Sequence, residues 1–169
     1  MKRVSILAVV LAFVAVGCGK SSTAPTPTNN ITFTAQLLAA NETPPITNAE
    51  STASGTATIV FVPTKDSAGN ITSGAGTATV TMQGFPSGSS VTLAHIHTGA
   101  GGVAGGVLIG FIPSPLPMLT NGAGSFIQTN MATGDQLTSI MNNPAGFYFN
   151  VHTALNGGGV MRGQLVRMQ

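Results

Sequence analysis

Beyond residue 30 the apolar positions recur with a period of two, the spacing of a strand that buries one face. In ITFTAQLLAA, starting at Ile31, the side chains of Ile31, Phe33, Ala35 and Leu37 share a face, and Pro44 and Pro45 forbid the next segment from continuing a ladder. SGTATIVFVP, residues 54–63, opens on threonines and becomes an apolar run that predicts burial on both sides, with Pro63 as its stop. TKDSAGN then carries the residues of a hairpin loop. The clearest alternation follows, with Ala78, Val80 and Met82 facing one way and Thr77, Thr79 and Thr81 the other. Five further segments, SSVTLAHIHT, GGVLIGFI, NGAGSFIQT, GFYFNVHTA and GVMRGQLVRM, are separated by turn residues and complete eight expected strands.

The period changes once. In TGDQLTSIMNNP, residues 133–144, Leu137, Ile140 and Met141 share a helical face, Thr133 with Gln136 forms a capping box, and Pro144 ends the segment. Eight short strands, one short helix and no alternation of strand with helix predict an all-β domain, an antiparallel Greek-key-like sandwich or barrel over residues 31–169.

The first 30 residues follow neither pattern. Lys2 and Arg3 precede an apolar stretch from Val4 to Val16 and a small-residue approach to Cys18, the layout of a signal peptide over residues 1–17. AVGC resembles a bacterial lipobox, with Ala15 in place of the usual leucine. That resemblance implies lipidation of Cys18 and an exported, membrane-anchored lipoprotein of the bacterial cell envelope. Cys18 is the single cysteine, so an internal disulfide is excluded. Ser, Thr, Pro and Asn dominate the following stretch, so residues 18–30 read as a lipidated, solvated tether.

Charge narrows the partners. Six Lys and Arg against four Asp and Glu suggest a basic protein, but Lys2 and Arg3 belong to the leader. The remainder balances Lys20, Lys65, Arg162 and Arg167 against Glu42, Glu50, Asp66 and Asp135. A neutral chain without a basic cluster is not expected to bind nucleic acid. GCGKSS lacks the first glycine of a phosphate loop, since Val14 stands there. GAGGVAGG leads into a β-like segment rather than a helix, which excludes a dinucleotide loop. No serine sits in a nucleophile elbow, no two carboxylates form a convincing acid and base, and Tyr148 alone is no carbohydrate platform.

The chemistry concentrates in three histidines. His95 and His97, two apart in a strand, project from one face with α-carbons roughly 6.5–7 Å apart, a geometry suited to chelation. His152 alternates with Tyr148 and Asn150, opposite Phe147, Phe149 and Val151. All three imidazoles are therefore expected on an outer sheet surface, although Val91 and Leu93 share the parity of His95 and His97. Three imidazoles suit copper or zinc; the competing reading has them bonding backbone and threonine hydroxyls to hold strands together. Glu42 and Asp135 are the only distant carboxylate candidates. Arg162, in GGGVMRGQ, is expected either to steer an anion or to pair with Glu42 or backbone carbonyls.

NETPPI, AHIHTGAGGVAGGV, FYFNVHT and GGGVMRGQL, in that order, resemble the signature blocks of the CHRD domain, named after chordin and frequent in bacterial secreted proteins. The resemblance implies a β-rich extracellular domain and names no activity. A second resemblance, in the order H-x-H, then a later histidine, then a glycine-rich turn with arginine, is to copper–zinc superoxide dismutase. It implies copper on His95, His97 and His152, with Arg162 steering an anion. The metal-bridging histidine, the zinc loop and the disulfide cysteines of that family have no counterpart here, so zinc is not implied. Two functions follow as expectations. One is a lipid-anchored envelope domain with a binding or structural, non-catalytic role and an unidentified protein or small-molecule partner; the other is a copper-binding domain.

Overall fold

The computed structural model describes residues 29–169; the expected signal peptide over 1–17, Cys18 and the expected tether as far as residue 28 lie outside the described residues. The strands are β1 (Ile31–Leu38), β2 (Ser54–Lys65), β3 (Ile71–Gln83), β4 (Val91–Thr98), β5 (Val107–Gly110), β6 (Gly124–Thr133), β7 (Phe147–Thr153), β8 (Met161–Gln164) and β9 (Val166–Arg167). They pair antiparallel in the order β5-β4-β7-β8-β1-β2-β3-β6, with β9 also on β1. The β3–β4 and β6–β7 connections cross between the two halves of this order, which makes the fold the expected Greek-key-like antiparallel architecture. The sheet curls into a nearly closed barrel. Where its end strands meet, side chains replace the ladder: the Asn130 amide on β6 donates to the Gly110 carbonyl on β5 at 2.7 Å. Gln136 donates to the Leu108 carbonyl at 2.9 Å. Two carbonyls of the β5 edge are thereby satisfied.

Alternation places Phe33, Leu37, Ile59, Phe61, Val80, Ile96, Phe149 and Val151 inside, each fully buried. Each such large side chain contributes about 1.5–3 kcal/mol. The helix α1 (Gly134–Asn142) follows β6 directly. Thr133 accepts from the Gln136 amide and the Gln136 side chain accepts from the Thr133 amide, so both halves of the expected capping box form. Leu137 and Ile140 reach the core.

Two sequence expectations change. β2 buries Ala57, Ile59 and Phe61 while Thr58 and Val62 stay exposed, so it is buried on one face rather than both. A barrel has one interior, and the apolar run partly faces outward. β2 also passes through Pro63 to Lys65. β1 begins only at Ile31, opposite Phe61, so Pro63 has only Gly74 of β3 beside it, and on such a half-paired stretch a missing N–H is tolerated. The expected eighth strand is two, β8 and β9, because Leu165 between them turns into the core at 1% exposure.

Candidate metal centre

β4 and β7 carry the three histidines on the outer face of the barrel. Their register sets Leu93 opposite His152, His95 opposite Asn150 and His97 opposite Tyr148. The parity conflict with Val91 disappears at a register shift between Val91 and Leu93. One extra residue there sends Val91 into the core and leaves His95 and His97 outside. His95 and His152 are then diagonal neighbours, and His95 Nδ1 lies 3.1 Å from His152 Nε2. Ring centroids are 5.4 Å apart for His95 and His97, 4.9 Å for His95 and His152, and 5.7 Å for His97 and His152.

The outer face is not a surface. His95, His97 and His152 are 8%, 7% and 5% exposed, covered by loop segments that include 99–106 and 154–160. Two of those segments orient the rings. His97 Nδ1 is 3.0 Å from the Gly105 carbonyl and His152 Nδ1 is 3.0 Å from the Gly157 carbonyl. A carbonyl only accepts, so both rings hold their proton on Nδ1 and turn the Nε2 lone pair toward the cluster. His152 Nε2 takes the His95 proton in a hydrogen bond, whereas His97 Nε2 is buried without a partner. Position 105 requires glycine, since a Cβ there would run into the Thr98 carbonyl. Glu50, holding Ser89 on one oxygen and Thr153 and Asn156 on the other, pins the segment that presents Gly157.

Burial keeps these rings neutral. It lowers His95 from 6.5 to about 4, with help from His152 and His97. Burial also lowers His97 and His152, against the raising effect of the bonds to Gly105 and Gly157. Their nitrogens form a set lying within 4.8 Å of one another. Metal–nitrogen bonds near 2 Å allow nitrogen separations up to about 4 Å, so closing on an ion requires no pair to move by more than about 0.8 Å. Neither Glu42 nor Asp135 belongs to the set, and Asp135 is exposed at the start of α1.

Arg162, on β8, is 1% exposed. Its Nε donates to the Asn41 carbonyl at 2.7 Å, Nη1 to the Val103 carbonyl at 3.1 Å and Nη2 to the Thr43 hydroxyl. Glu42 is not among these partners. The guanidinium carbon lies 4.5 Å from the centroid of the Tyr148 ring, which stacks on His97 at 5.0 Å and 10°. β7 lies between β4 and β8, so Tyr148 is held between an imidazole and a guanidinium. Its hydroxyl also accepts from the Gly105 amide at 3.2 Å. The two-residue period marks Tyr148 and Asn150 as sharing the His152 face; nothing in the sequence marks the Gly105 and Gly157 carbonyls.

No curated protein and no solved structure matches the chain. The model of one family does, over residues 33–165, described as the CHRD domain. That span runs from β1 to Leu165 and takes in all three histidines and Arg162, and on this match the chain belongs to the CHRD domain family.

Proposed function

We propose that this β domain binds a transition-metal ion, copper by ligand type, through His95, His97 and His152. We place it as an exported lipoprotein held on the bacterial cell envelope by Cys18, with a binding or structural role rather than a catalytic one. The observation that carries the metal reading is the buried Nε2 of His97, which has no partner inside a set of three converging imidazole nitrogens. Histidines that served only to tie strands together would use that atom, since an unmade buried bond costs about 1–3 kcal/mol. Neutral imidazoles suit copper and zinc, and copper binds nitrogen sites more strongly.

The basic, then apolar, then Cys18 layout of the leader supports export and anchoring. The three hydrogen bonds of Arg162 to covering segments support a structural task for it over anion steering. With a non-catalytic role, the unidentified partner is a protein or small molecule at the envelope. Equilibration of the protein with Cu(II), followed by metal analysis and electron paramagnetic resonance, is expected to give about one ion per chain with nitrogen ligation. The His95/His97/His152 triple alanine variant is expected to lose it. Failure of the wild type to retain Cu(II), or equal retention by the variant, overturns the reading.

A further inference from the structure

Beside the histidines lies a second group of buried polar atoms with unmet bonds. Glu42 is 8% exposed and its Oε1 has no partner; Asn150 is 2% exposed and its Oδ1 has none either. Both atoms crowd Gly159, where an added Cβ would stand 2.8 Å from each, so the two oxygens share one small space. Asn150 is directly opposite His95 on one side and Arg162 on the other, and two residues from His152. The free carboxyl oxygen of Glu42 therefore lies beside the side chain of the residue that links the His95 strand to the Arg162 strand.

Two acceptors without a donor between them are unfavourable when buried. A proton on Glu42 supplies that donor. Burial outweighs the opposing pull of Arg162 and the bond to the Thr43 amide, and raises the carboxyl from 4.5 to about 7. The other buried acid, Glu50, has both oxygens occupied by donors. The bonds of Arg162 all end on neutral oxygens, leaving its positive charge without a carboxylate partner among them. A divalent ion entering the histidine set adds positive charge to a buried region that already holds Arg162. Such a site becomes favourable when a nearby acid ionises.

Resting on the metal-binding reading, we propose that Glu42 is the charge-compensating group of the tri-histidine site, exchanging its proton for a divalent cation. The exchange balances: one M(II) enters, the Glu42 O–H bond breaks, its electron pair stays on the carboxylate, and one proton passes to solvent. Among the described residues, Arg162 from β8, the three histidines from β4 and β7 and the Tyr148 phenol of β7 are the titratable groups around this site, and Asn150 adds an uncharged amide. Glu42 binds no metal in this scheme; it acts through the field.

Calorimetric titration of the protein with Cu(II), run in two buffers of different ionisation enthalpy, counts the protons released. Near pH 6 the wild type is expected to release about one proton per ion more than Glu42→Gln, and the difference is expected to vanish near pH 8.5. Protons from the histidines are common to both proteins and cancel. Equal counts near pH 6 overturn the proposal while leaving metal binding intact. Absence of uptake in both proteins overturns the metal reading and this inference with it. Should Glu42→Gln not fold, infrared difference spectra of the wild type near pH 6 decide. The carbonyl stretch of a protonated carboxyl is expected to disappear on adding Cu(II), and its persistence refutes the exchange.

Discussion

Replacing Arg162 by methionine separates a clamp from an anion-steering charge. The substitution keeps an apolar stem of similar reach and deletes three hydrogen bonds: to the Asn41 carbonyl, the Val103 carbonyl and the Thr43 hydroxyl. Bonds from a charged donor contribute about 1.5–3 kcal/mol each, but water entering from the cavity of about 460 Å³ beside Asn41, Thr43 and Arg162 can replace part of this. The contact with Tyr148 at 4.5 Å adds about 1 kcal/mol. Against this, methionine removes the cost of burying a charge. A net loss of about 3 kcal/mol is expected, equivalent to about 6–12 °C in Tm for a domain of this size. Chemical denaturation measures it, and limited proteolysis between residues 99 and 106 reports release of the segment that Val103 anchors. Arg162→Lys keeps the charge but loses the fork, and is expected to fall in between. If Arg162→Met stays within about 1 kcal/mol of wild type, the clamp is refuted.

Two further outcomes follow from the histidine set. An unfolded imidazole takes a proton below about 6.5, whereas His95 in the fold resists until about 4, so its contribution is present above 6.5 and is lost as pH falls toward 4. With allowance for the water at the rim of the cluster, wild type is expected to lose about 2 kcal/mol relative to His95→Gln as the pH falls from 6.5 to 4. Glu42, raised to about 7, works in the opposite direction but contributes equally to both proteins. Parallel denaturation midpoints for the two proteins across the window count against a buried neutral His95. Gly105→Ala drives a methyl into the Thr98 carbonyl and displaces the acceptor that fixes His97. Competition with a chelator is expected to show Cu(II) affinity reduced about 10–100-fold, and an unchanged affinity refutes the orienting role of that carbonyl.

Local physics was legible wherever it depends on a few neighbouring residues. The alternation of Ile31, Phe33, Ala35 and Leu37 fixed an inner face, and the Thr133–Gln136 pair fixed where α1 begins, because strand parity and helix caps are short-range. Tertiary closure corrected the rest. The apolar run of β2 faces outward in part because the barrel has a single interior, and Pro63 is tolerated because β1 does not extend beside it.

The same division holds at the site. Residue order alone put His95 beside His97, and put Tyr148, Asn150 and His152 on one face of their strand. Only the fold could bring His152 against His95, since a one-residue shift between Val91 and Leu93 governs that pairing and the register is a long-range property of two strands. Burial of the imidazoles, the pairing of their Nδ1 atoms and the free oxygen of Glu42 are decided later still. They arise when segments distant in the chain fold over an outer face that alternation by itself leaves open to water.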